Sequence, residues 1–229
     1  MKRMQQLLAA SVLSLAVAGS ASAFPVTYSY SGPDVYVGNY GWRAVQIKIE
    51  DDYVIDDVDV EISLEHSWVG DVSMWLQGPD NNLYDSNSQL TMLVDQIGRP
   101  QNNPWGWEGD GGFLGTCFDD QAARSITDAS ESDAPFSGHW QVANYGYNGN
   151  SNSFGNLADY NGMSTKGTWT LWVRDWYTHA DGGYLRDFEL QMRTRDGDPG
   201  DPVPEPATLT LFGMGLLGAG RALRRRRRS

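Results

Sequence analysis

An all-β sandwich is the fold class the sequence predicts, and three observations carry it. Apolar residues between Val45 and Met192 recur with a period of two, Gly, Asn and Asp clusters punctuate the intervals, and outside the two terminal segments there is neither an amphipathic helix nor an internal repeat. Alternation puts every second side chain on one face of a pleated strand, so such segments are half-buried strands, and βαβ architectures are disfavoured. The chain can fill a core. Its 229 residues are 40% hydrophobic and 12% aromatic, whereas chains that stay unfolded are poor in bulky apolar residues.

The elements follow in chain order. Val58, Val60, Ile62 and Leu64 alternate with Asp57, Asp59, Glu61 and Ser63, which is a strand with one wet face. Val72, Met74 and Leu76 repeat the pattern, as do Trp169, Leu171 and Val173, then Phe188, Leu190 and Met192. Trp169 shares the phase of Leu171 and Val173, so it belongs to the core. Two Gly- and Asn-rich stretches, Pro100 to Gly115 and Tyr145 to Lys166, are excursions at the ends of the sandwich, and loops of that length commonly carry function. Residues 24–45 form an N-terminal extension or first strand, and 46–195 the sandwich proper.

The ends of the chain are of another kind. Lys2 and Arg3 precede the apolar stretch Leu7 to Ala18 and the small-residue site Ala21-Ser22-Ala23, so residues 1–23 read as a secretory signal peptide. At the other end, a linker over 196–202 leads to Val203-Pro204-Glu205-Pro206, an uncharged, mostly apolar run to Gly220, and a cluster comprising Arg221 and Arg224 to Arg228. A helix over 207–223 would span roughly 25 Å, short of the ~30 Å hydrocarbon core. Gly213, Gly215, Gly218 and Gly220 weaken it further, which suits a transient inner-membrane anchor. Arginines stay on the cytoplasmic side, placing the sandwich outside the inner membrane.

Charge and cysteine content narrow the partners. Eight of the 17 basic residues lie in the two terminal segments, leaving nine against 29 acidic ones, a balance of about −20. Nucleic-acid and anionic-membrane binding both need a basic patch and are disfavoured, and divalent cations are the natural counter-charge. The single cysteine, Cys117, excludes an intramolecular disulfide and a Cys-rich zinc cluster and reads as a small buried apolar residue.

Two resemblances sharpen the reading. The tripartite tail, Pro-Glu-Pro, short apolar span and Arg run over 203–229, closely resembles the PEP-CTERM sorting signal of Gram-negative bacteria. That family implies recognition of Pro204, Glu205, Pro206 and the Arg cluster including Arg224 by an exosortase, removal of the tail, and a cell-surface or extracellular destination. Asp56-Asp57-Val58-Asp59-Val60-Glu61-Ile62-Ser63-Leu64-Glu65-His66-Ser67-Trp68-Val69-Gly70-Asp71-Val72 resembles the strand and turn that open the P domain of kexin- and furin-type proprotein convertases. Five later segments keep that family's order: Leu76-Gln77-Gly78-Pro79-Asp80, Phe118-Asp119-Asp120, Pro135-Phe136-Ser137-Gly138-His139-Trp140, Gly167 to Asp175, and Gly183 to Leu190. The resemblance implies a jelly-roll β-sandwich of about eight strands that ordinarily supports a protease in the same chain. The 22 residues from Phe24 to Val45 cannot hold such a protease, so this module is expected to be non-catalytic and to work by interaction with an extracellular protein or polysaccharide.

Candidate sites follow from residue chemistry. Calcium takes six to eight hard oxygen ligands, and Asp71, Asp119, Asp120, Asp175 and Asp181 are the expected structural calcium ligands, as related jelly-rolls bind calcium. The alternative use of these aspartates is to cap turns. Ser137 beside His139 invites a hydrolase, but no Gly-x-Ser-x-Gly elbow and no orienting third group accompany them. Trp105, Trp107 and Trp176 lie in loops, where exposed rings would stack on sugars, so a glycan-binding module acting on extracellular polysaccharide is the alternative function.

Overall fold

In the computed structural model, the described residues are 23–38, 41–79, 90–98, 106, 108, 111–143, 155–177 and 181–196. Residues 1–22 of the signal peptide, the linker beyond Asp196, the sorting tail, Trp105 and Trp107 lie outside them. The period-two segments become strands as expected: β1 (Phe24–Ser29), β2 (Val35–Val37), β3 (Arg43–Ile49), β4 (Val54–His66), β5 (Val72–Gln77), β6 (Leu90–Asp95), β7 (Phe113–Phe118), β8 (Gly138–Trp140), β9 (Gly167–Asp175) and β10 (Gly183–Arg195). Among the described residues these ten exceed the expected eight by the two strands β1 and β2 of the N-terminal extension, which sequence alternation alone did not resolve.

Two sheets form. One has the order β1-β10-β4-β7-β8, with β2 also on β10; the other is β3-β9-β5-β6. All pairings are antiparallel except β7 with β8, which run parallel. Long β4 and β10 pair along most of their length, with a register shift between Leu185 and Asp187. That bulge lets Leu185 and Phe188 both point inward although three positions apart.

The inner faces close one core. Val58, Val60, Ile62 and Leu64 of β4 and Phe188, Leu190 and Met192 of β10 are buried, as are Val45, Ile47 and Ile49 of β3 and Leu171 and Val173 of β9. Trp169 is fully buried and packs at 5.0 Å on Tyr160, whose hydroxyl donates to the Leu76 carbonyl at 3.1 Å. Burying a ring of that size contributes about 3–5 kcal/mol against alanine. Cys117 is buried, and burial pushes its thiol up to about 12. No helix among the described residues is long and apolar enough to cross a membrane.

Candidate metal centre

Two inner-face positions break the apolar pattern at one end of the sandwich. On β9, Trp169, Leu171, Val173 and Asp175 share the inward phase; on β4, Val60, Ile62, Leu64 and His66 do the same. The core face of each sheet therefore ends in an ionisable side chain. Asp175 is fully buried and His66 nearly so. A lone buried carboxylate costs several kcal/mol unless something compensates it.

Part of the compensation is local. The Trp68 backbone N–H donates to His66 Nδ1 at 3.1 Å, so the neutral ring carries its proton on Nε2, which faces Asp175 Oδ2 at 3.6 Å. Asp175 Oδ1 accepts from the Tyr177 backbone N–H at 2.7 Å. His66 Nε2, Asp175 Oδ2 and Asp181 Oδ1 are all buried with no hydrogen-bond partner.

Asp71 completes the group. It closes the short 3-10 helix Val69–Asp71 that leads into β5; its N–H donates to the Trp68 carbonyl at 3.1 Å and its own carbonyl accepts from the Trp176 N–H at 2.8 Å. That last bond ties the turn before β5 to the loop after β9, so carboxylates distant in sequence converge. One carboxylate oxygen from each of Asp71, Asp175 and Asp181 lies within 4.8 Å of the others. Gly106 packs against this turn at φ +73, where a Cβ would sit 2.5 Å from Gly70 Cα, so only glycine allows the approach.

Three converging carboxylates, two of them almost wholly withdrawn from water, fit a hard divalent cation that binds through oxygen. The buried oxygens of Asp175 and Asp181, without hydrogen-bond partners, suit such an ion. His66, 3.6 Å from Asp175, was not among the site residues expected from the sequence. Its signal was present in the sequence, since it falls in phase with four inward apolar residues of β4.

Asp119 and Asp120 lie elsewhere, just past β7, in a second acidic cluster on the outer face of the six-stranded sheet. Asp119 Oδ1 accepts from the Gln121 N–H at 2.6 Å and its Oδ2 pairs with His139 Nδ1 at 3.0 Å. Asp120 Oδ2 accepts from the Ala158 N–H at 2.7 Å; burial raises its pKa while the N–H groups of Ala158 and Leu157 oppose the rise. Neighbouring Asp59 is pushed up to about 7, chiefly by burial and then by the charges of Asp119 and Asp57.

His139 is oriented by Asp119 but is largely exposed, and among the described residues no serine hydroxyl, Ser137 included, hydrogen-bonds to it. Cys117 is its register neighbour across β7 and β8, yet a thiol raised to about 12 is a poor nucleophile at neutral pH.

Comparison with known proteins adds the following. Residues 202–228 match the model of the PEP-CTERM protein-sorting motif, which implies recognition by an exosortase during processing and a cell-surface or extracellular destination. No curated protein matches the chain. Among solved structures, the serine protease of Aeromonas sobria in complex with its chaperone is similar at 14% identity and TM-score 0.41, over 77% of this chain and 28% of that one. The same protease on its own is similar at 14% identity and TM-score 0.40, over 76% of this chain and 27% of that one. The chain thus spans little more than a quarter of those proteins.

Proposed function

We propose that this exported, exosortase-sorted protein is a non-catalytic interaction module, a P-domain-like jelly-roll sandwich whose loop end is stabilised by a calcium ion. The observation that carries the cation is the convergence of Asp71, Asp175 and Asp181 within 4.8 Å, with buried oxygens of Asp175 and Asp181 lacking hydrogen-bond partners. Support for the P-domain likeness is the ordered set of six motifs between Asp56 and Leu190.

In this reading Asp71, Asp175 and Asp181 hold the ion, which supplies positive charge and fixes the turn before β5 against the connection from β9 to β10. His66 stands beside Asp175, its Nε2 3.6 Å from Oδ2. The partner after export is an extracellular protein or polysaccharide.

Calorimetry of the exported protein in calcium and in chelator tests the cation. A ligand that binds only the folded state raises stability by about 2.7 kcal/mol at a hundredfold excess over its Kd. For a domain of this size that is a rise of about 5–11 °C in Tm. An unchanged Tm refutes the calcium centre. The sorting reading is tested by intact mass, where extracellular protein that still carries residues 207–229 would refute processing.

A further inference from the structure

Core-facing rows of the four-stranded sheet change character at the end that holds the aspartate cluster. Val94, Met74 and Val173 form one cross-strand row, and all three are fully buried. The Gln96 N–H donates to the Val72 carbonyl at 2.8 Å, which extends the β5–β6 pairing by one residue and puts Gln96, Val72 and Asp175 in the next inward row. The chain of β6 therefore runs, as β4 and β9 do, into a polar side chain at an inward position. His66, Asp175 and Gln96 all lie at this one end of the sandwich.

Gln96 is 3% exposed, and its side-chain Oε1 is buried with no hydrogen-bond partner. Withdrawing a polar oxygen from water without a partner is unfavourable, so such an atom points to a group that completes it. The backbone adds a second cost. At φ +49, Gln96 is the only non-glycine among the described residues in the left-handed region, which long side chains seldom adopt. Glycine meets such a conformation without strain, as Gly98 does two positions on at φ +85. What glutamine adds over glycine here is its amide.

Coordination chemistry gives that amide a use. Calcium takes six to eight oxygen ligands, neutral carbonyl oxygens among them, whereas magnesium keeps several waters and needs fewer from the protein. Asp71, Asp175 and Asp181 already bring three negative charges to one divalent ion, so an amide oxygen adds a ligand without adding repulsion. His66 does not take this place. Its Nδ1 accepts from the Trp68 N–H, and the neutral ring then carries its proton on Nε2.

We propose that Gln96 Oε1 is a further, neutral ligand of the cation held by Asp71, Asp175 and Asp181, and that it favours calcium over magnesium. The ion then ties the end of β6, an edge strand of its sheet, to the connection from β9 to β10. The proposal rests on the calcium reading and deepens it.

Isothermal titration of calcium, and separately of magnesium, into the chelator-stripped exported protein tests it. Gln96→Met keeps the side-chain length and removes the oxygen; it is expected to weaken calcium about tenfold or more, and magnesium less. Its Tm in chelator should stay at or above that of the parent, because an unpartnered buried oxygen is gone. Calcium and magnesium affinities both within about twofold of the parent overturn the proposal. Should Gln96→Met fail to fold, Gln96→Glu decides: a calcium-dependent rise in Tm larger than the parent's supports an oxygen at the ion, and an equal or smaller rise overturns it. Absence of calcium binding by the parent refutes the cation centre itself, and the proposal with it. Equal binding by parent and Gln96→Met removes Gln96 alone and leaves the three aspartates as the site.

Discussion

Two acidic clusters share a residue type, and each holds a buried carboxylate oxygen without a hydrogen-bond partner, yet they meet their charge differently. At the loop end, Asp71, Asp175 and Asp181 converge with buried, unpartnered oxygens on two of them; on the outer face of the six-stranded sheet, Asp119 and Asp120 are satisfied by backbone N–H groups and by His139, and Asp59 holds a proton to about neutral pH. The first arrangement concentrates charge and invites a cation. The second disperses it. What separates them is place: an aspartate in the inward phase at a strand end aims into the sandwich, whereas one on an outward face is free to find turn N–H groups or water.

The largest test of that contrast is Asp175→Asn. In calcium it is expected to lose the whole metal-dependent rise, about 5–11 °C in Tm, whereas in chelator it should melt at or above the parent, because it removes a buried negative charge. Calorimetry in both buffers reads each sign. A variant that melts equally far below the parent in both would make Asp175 a packing residue only.

Gly106→Ala comes next. At φ +73 with a Cβ 2.5 Å from Gly70 Cα, it is expected to cost about 1–3 kcal/mol, seen as a lower midpoint in chemical denaturation.

Asp59→Asn probes the dispersed cluster through pH. The raised carboxyl means that the folded state holds a proton which the unfolded chain releases near pH 4, so stability falls as pH climbs from about 4 to about 7. The variant should therefore match the parent at pH 4 and exceed it at pH 8 by about 1–2 kcal/mol, a value discounted because Asp59 is only half withdrawn from water. Equal stabilities at pH 8 would mean that Asp59 ionises normally.

Asp119→Asn with Asp120→Asn is the smallest expected effect, a calcium-dependent Tm rise unchanged within about 1 °C. Loss of that rise would merge the two clusters into one site and break the comparison.

Much of the sandwich was legible in the sequence because a strand's inward and outward positions are written in its alternation. Val58 to Leu64, Trp169 to Val173 and Phe188 to Met192 all show it, and each lies in the core. The tail was legible for a similar reason, since membrane insertion and charge retention depend on local composition. Less visible were β1 and β2, whose apolar positions are few, and the phase break at Leu185, where a bulge depends on the partner strand.

By itself, then, the sequence determined the strands, their buried faces, the acidic balance and the sorting address, all properties of short windows of chain. Only the tertiary structure decided which aspartates meet, that His66 stands beside Asp175, and that Trp42, Trp75, Trp172 and Trp176 share one surface. Those outcomes depend on cross-strand register and on how loops close over a sandwich end. Such contacts join residues more than a hundred positions apart, and no local periodicity encodes them.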